Sequence, residues 1–145
     1  MSQYPSCFPD DFETDILPKG IHAEEKKVYR VMKKGIIDRE AFISTFEETK
    51  RGLRPPGRKP IDERDPSLYS TSCNEDIAEA QCVLGLLSGH HPAAVIAEGV
   101  IHPSCGPWQL TSERENDRQD THVDWWVYEN SQPQVYFNEV KKDGA

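Results

Sequence analysis

The sequence predicts an α+β domain: a small mixed or antiparallel sheet, two main helices, long connecting loops and a C-terminal β-hairpin. Three observations predict it. Cys73, Ile77, Ala80, Leu84 and Leu87 recur at steps of 4, 3, 4 and 3 residues, one face of an amphipathic helix. A mostly apolar stretch, 93–101, follows directly, and a short buried strand after such a helix points to helix-on-sheet packing. Two runs near the end, 122–129 and 134–140, are dense in aromatic and β-branched residues and flank a turn at 130–133, the pattern of a hairpin.

The remaining elements follow in chain order. Residues 1–20, rich in proline and acidic side chains, read as an irregular lead-in. Phe8, Phe12, Ile16 and Leu17 can anchor it to a single domain over 21–141, and 142–145 reads as a solvated tail. Val28, Tyr29, Arg30, Val31 and Met32 form a candidate strand closed by Lys33-Lys34-Gly35. Asp38 can cap a helix from Arg39 to about Lys50, with Ala41, Phe42, Ile43 and Phe46 as its apolar face and Gly52 as its stop. Ser44-Thr45-Phe46-Glu47 spells a capping box, so that helix can also start again there. The segment 51–66 holds four prolines and reads as an extended loop. A strand at Leu68-Tyr69-Ser70 then meets a second capping box, Ser72-Cys73-Asn74-Glu75, which makes Ser72 the expected cap of the amphipathic helix. Gly99 is a candidate bulge, and 101–121 reads mostly as loop.

Charge narrows the partners. With 25 acidic and 17 basic residues the chain carries a net charge of −8, which repels a phosphate backbone and disfavours generic nucleic-acid binding. The only basic stretch, 50–59, is followed at once by Asp62-Glu63-Arg64-Asp65. No apolar run reaches membrane-spanning length, and the first residues lack the basic and apolar regions of a secretory signal, so a cytoplasmic location is expected. The four cysteines are then expected as reduced thiols. Neither Cys-x-x-Cys nor a close histidine pair of zinc type occurs among Cys73, Cys82, His90, His91, His102 and Cys105, so no metal is expected.

Chemistry concentrates at three places. Arg30 in mid-strand is a fixed cation with planar donors, suited to phosphate or carboxylate. The Ser70-Thr71-Ser72 run can orient a ligand or start a helix. In the expected hairpin, a four-residue turn sets Trp126 opposite Phe137 and Asp124 opposite Glu139. Two such carboxylates in a cleft would titrate as a pair with one pKa raised. Trp125, Trp126, Tyr128, Tyr136 and Phe137 would occupy both faces of the hairpin and offer a surface to a protein partner or a flat ring.

These residues carry a resemblance. Arg30 in a Tyr-Arg strand, the Tyr69-Ser70-Thr71-Ser72 strand end and the late-strand Glu139 resemble the Arg, Ser-Thr-Ser and Glu series of ADP-ribosyltransferases. Val28-Tyr29-Arg30-Val31, with Tyr69 leading into an alanine-bearing helix, is similar to RES-domain proteins, which share that fold and consume NAD. The resemblance covers about 28–140. It implies that Arg30 grips the phosphates of NAD, that Ser70, Thr71 and Ser72 support the arginine and the ribose side, and that Glu139 stabilises the oxocarbenium ion as nicotinamide leaves. Arg30 and Glu139 are thus the expected catalytic pair, with Tyr69 and Trp126 as aromatic members of the nucleotide site. Phe137 stands where the toxin-like branch carries an acidic residue or glutamine two positions before its glutamate. That favours NAD hydrolysis or binding over transfer to a protein side chain. The glutamate of RES proteins would fall nearest to Glu79, and their late serine has no match. The alternative expectation is a non-catalytic acidic binding or inhibitor protein that captures a small nucleotide or a protein partner through the aromatic hairpin.

Overall fold

A computed structural model describes residues 2–54, 57 and 60–140. Six strands form one antiparallel sheet in the order β4-β5-β2-β1-β3-β6. They are β1 (Lys26–Met32), β2 (Thr71–Asn74), β3 (Val95–Ile101), β4 (Trp108–Leu110), β5 (His122–Trp125) and β6 (Phe137–Glu139). Two α-helices accompany them, α1 (Thr45–Lys50) and α2 (Ile77–Leu87). The α+β class, the small sheet and the two main helices agree with the sequence reading.

Alternation along β1 divides the core. Val28 and Met32 join Phe42, Trp125 and Phe137 on one side of the sheet, whereas Val31 and Ile96 pack on the other side against Ala80, Leu84 and Leu87 of α2. The amphipathic face read from the sequence is therefore the one α2 buries. A separate aromatic cluster ties down the lead-in: Tyr4, Phe8, Phe12 and Ile16 pack with Phe46, Tyr69 and Trp126. The Phe8 and Phe12 rings lie 5.0 and 5.3 Å from that of Tyr69, edge to face.

Several elements depart from expectation. The first helix is two pieces, a 3-10 turn over Arg39–Phe42 capped by Asp38 and then α1, which restarts at a reciprocal box between Ser44 and Glu47. Ser44 is extended and cannot lie within one continuous helix, so the box wins over the longer periodicity. Leu68 and Tyr69 belong to a 3-10 turn over Pro66–Tyr69, started by proline at its first position and by Asp65 accepting from the Ser67 N–H. Ser72 does not cap α2. It lies in β2 opposite Asp124, and Asp76 accepts the Ala78 N–H as the cap. Cys73 accordingly belongs to the strand and not to the helix.

The C-terminal hairpin does not form. β5 pairs with β2 and β4, whereas β6 pairs with β3 at the opposite end of the sheet. Trp126 therefore does not face Phe137, and Asp124 opposes Ser72 and Gln109 rather than Glu139. β4 arises inside the stretch read as loop. Part of the 51–66 loop (Pro55, Pro56, Arg58 and Lys59) and the 142–145 tail lie outside the described residues. Among the described residues no helix is long and apolar enough to cross a membrane.

Gly99 is in regular register between Val28 and Phe137, not at a bulge. A Cβ there would meet the Phe137 ring and the Tyr136 carbonyl oxygen at 2.4 Å. Gly99→Ala is expected to lower stability by about 1–3 kcal/mol through this overlap, read from the urea midpoint.

Candidate functional site

β1 and β3 pair along their whole length, but β1 and β2 pair at Tyr29 and Asn74 alone. Beyond that pair the two strands part, and Arg30 fills the parting. Its Nε donates to the Ala41 carbonyl at 2.9 Å and its Nη1 to the Ser72 carbonyl at 2.6 Å. The guanidinium thus supplies hydrogen bonds that the missing ladder cannot. Half-buried, it is shifted below the ordinary arginine pKa by desolvation yet remains a cation at neutral pH.

Two clefts, of about 360 and 270 Å³, open beside this point. They share Arg30, Val31, Lys33, Ile43 and Glu48 as a common wall. The first continues over Lys34, Ala41 and the exposed apolar side chains Ile36 and Leu53. The second continues over Arg54, Ser70, Ser72, Asn74 and His122 and is the more polar lobe. Glu48 is the carboxylate both lobes share, and it is already paired with Lys33 at 3.0 Å and Arg54 at 3.4 Å. Arg30 and Lys34 have no carboxylate partner among the described residues. The second cleft sets Arg30, Lys33 and Arg54 against Glu48 alone, an excess of cation that concentrates small anions, whereas the first balances Arg30, Lys33 and Lys34 with Asp38, Glu40 and Glu48.

The expected site residues distribute unevenly. Arg30, Ser70 and Ser72 meet in the second cleft. Thr71 is buried with its hydroxyl on the Phe42 carbonyl at 2.8 Å, and it helps hold the Arg39–Phe42 turn against β2. Tyr69 lies in the aromatic cluster around the lead-in and donates its hydroxyl to the Glu63 carbonyl at 2.7 Å. Trp126 is fully buried in the same cluster, with Nε1 on the Pro66 carbonyl at 3.0 Å. Neither Tyr69 nor Trp126 lines a cleft, so the aromatic members of the expected nucleotide site are core residues. The rest of the supposed platform is spent likewise: Trp125 and Phe137 stack across the core at 5.9 Å. Tyr128 and Tyr136 stay partly exposed, but among the described residues the two runs do not pair as a hairpin.

Glu139 has a mixed outcome. The register aligns Arg30 with Ala97 and Ala97 with Glu139, so all three share one row and one face of the sheet. Two strand spacings, about 10 Å, separate the outer pair of that row. The Arg30 guanidinium turns toward β2, however, away from β3 and β6. Glu139 is exposed on the edge strand and lines neither cleft. Glu79, the other candidate glutamate, accepts the Thr121 N–H at 2.8 Å and so anchors the loop before β5.

No family model, no curated protein and no solved structure matches this chain.

The second cleft is backed by a network that sequence reasoning missed. Asp124 is wholly buried, and its carboxylate accepts from Ser70 at 2.6 Å, Thr111 at 2.8 Å, Ser67 at 3.1 Å and Arg114 at 2.7 Å. Burial acts to raise its pKa, but the Ser70 hydroxyl, the neighbouring His122 and Arg114 outweigh it and hold the carboxyl below the ordinary range. The raised carboxylate expected of a facing acidic pair is thus replaced by a lowered one. Desolvation is the largest influence on His122 and depresses its pKa, against the pull of Asp124. Burial also pushes the Cys73 thiol up to about 12, which removes it as a nucleophile at neutral pH. Among the described residues no three His, Cys, Asp or Glu side chains gather as a metal site.

These shifts fix a pH response. An imidazole depressed on folding is protonated more readily in the unfolded chain, so acid favours unfolding. Stability is expected to be flat between about pH 7 and 8 and to fall once the pH drops below the ordinary imidazole value of 6.5. A second loss, from Asp124, follows below the ordinary carboxylate value of 3.8 as the pH falls through its folded value. Urea midpoints across this range measure both steps; His122→Asn should remove the first and, because the imidazole helps hold the Asp124 carboxyl down, shrink the second.

Proposed function

We propose that this protein binds NAD or a related nucleotide in the two joined clefts, with the diphosphate on Arg30 in the manner of an ADP-ribosyltransferase-like site. The observation that carries this reading is the shared wall. Arg30 and Lys33 stand where both lobes meet, so a bipartite ligand can place its anion there and one half in each lobe. The apolar lobe with Ile36 and Leu53 suits a flat base, and the polar lobe with Ser72 and Asn74 suits a ribose. Glu139 has no part in this placement, so the reading concerns binding first. Titrating NAD into the purified protein by calorimetry tests it. One molecule should bind per chain, and more weakly at higher salt. Absence of both binding heat and an NAD-dependent rise in melting temperature would sink it.

A further inference from the structure

We propose that His122 is the proton acceptor of the second cleft, its Nε2 taking the proton of a water that hydrolyses the N-glycosidic bond of the bound nucleotide; this rests on the nucleotide reading above. The orientation of the ring carries the argument. Thr111 donates its single hydroxyl proton to Asp124 Oδ2 at 2.8 Å, and the same oxygen lies 2.6 Å from His122 Nδ1. With its proton committed, the threonine oxygen can only accept, so Nδ1 carries the hydrogen. The neutral ring then has its lone pair on Nε2. That nitrogen has no hydrogen-bond partner among the described residues, and His122 lines the cleft that holds Arg30, Ser70 and Ser72. A buried carboxylate, an intervening hydroxyl and an imidazole with one free nitrogen form the base-and-orienter arrangement of general-base sites. Thr111 and Asp124 are positioning residues in it.

The electrostatic surroundings keep the base neutral. Burial favours the uncharged ring, as do the cations Arg114 and Arg118, while Asp124 and Asp120 oppose them. Across the cleft stand Arg30, Lys33, Arg54 and Glu48. In the step itself the water oxygen bonds to C1′ of the ribose as the C1′–N bond breaks. The electron pair of that bond passes to the nicotinamide ring nitrogen and cancels its positive charge, and the water proton goes to Nε2. ADP-ribose and nicotinamide leave, and the imidazolium returns its proton to solvent. No oxidant, reductant or further reactant is required.

Three measurements on the full chain test this role. Nitrogen-detected imidazole spectra should show Nδ1 protonated and Nε2 bare at neutral pH. Nicotinamide release from NAD should hold through the ordinary imidazole value of 6.5 and fall only as the pH drops further, through the lowered value of the buried ring. His122→Asn retains a donor toward Thr111 but removes the base; it should bind NAD like the unaltered protein while releasing nicotinamide about 100-fold more slowly, without the acid limb. Thr111→Val should lower the turnover rate without weakening binding, and it serves as the second variant if His122→Asn folds poorly. The role is overturned if NAD binds but is not cleaved, if His122→Asn cleaves at full rate, or if the proton sits on Nε2. Failure of NAD to bind at all removes the nucleotide reading, and this role with it.

Discussion

Asp124→Ala is expected to lower the stability of the protein by about 3–5 kcal/mol, the usual penalty for removing one partner of a buried ion pair. The carboxylate gathers four donors with no exposure to water, and one of them is the Arg114 cation. Its loss strands that guanidinium and three hydroxyls behind the sheet. Asp124→Asn keeps the volume but lacks the charge, and its amide hydrogens face groups that also donate, so a smaller loss of the same sign is expected. Urea unfolding reads both, through a lower midpoint at unchanged slope. Ser67 and Ser70 come from one stretch of chain and Thr111 and Arg114 from another, both distant from Asp124 in β5. The substitution should therefore also loosen the second cleft and free His122 Nδ1 from its orientation.

Arg30→Ala should weaken NAD binding by about 2–5 kcal/mol, on the order of 30-fold to several thousand-fold. The substitution removes the cation shared by both lobes and exposes the carbonyls of Ala41 and Ser72 as acceptors without donors. A stability loss of about 1–3 kcal/mol should accompany it for that reason. Arg30→Lys separates the two roles. A lysine keeps the charge but presents a single nitrogen, which cannot span two carbonyls with the geometry of a guanidinium. It should retain part of the affinity and little of the bracing. Unchanged affinity in Arg30→Ala would falsify the placement of the anion at this wall.

The parts of this fold that were legible in the sequence are those set by local pattern. The β1 run around Arg30, the apolar face of α2 and the strand after it are each fixed by residues within one turn or one pleat of each other. The misreadings share one physical cause. A capping box at Ser72 and an aromatic pair of runs near the C-terminus are local signals, and non-local pairing overrode both. β6 reaches back to β3, and β2 reaches forward to β5, each pairing with a strand far away in the chain. Arg30, Ser70 and Ser72 converge because β1 and β2 are neighbours, and alternation within each strand could suggest that much. Glu48 and His122 carried no such mark. Each enters the cleft through the arrangement of distant elements, and neither has a spacing in the sequence that points to Arg30.

The central position of β1 also bears on how the chain folds. Both of its sheet neighbours are made later, and Lys26 must wait for Ile101 to complete the ladder with β3. Val28, Val31 and Met32 are consequently without cover, and both edges of the strand stay open, until most of the chain has left the ribosome. A topology dominated by such distant contacts folds on the order of milliseconds to seconds rather than microseconds. During that interval the segment that later presents Arg30 to a ligand is also the one most exposed to pairing with another nascent chain.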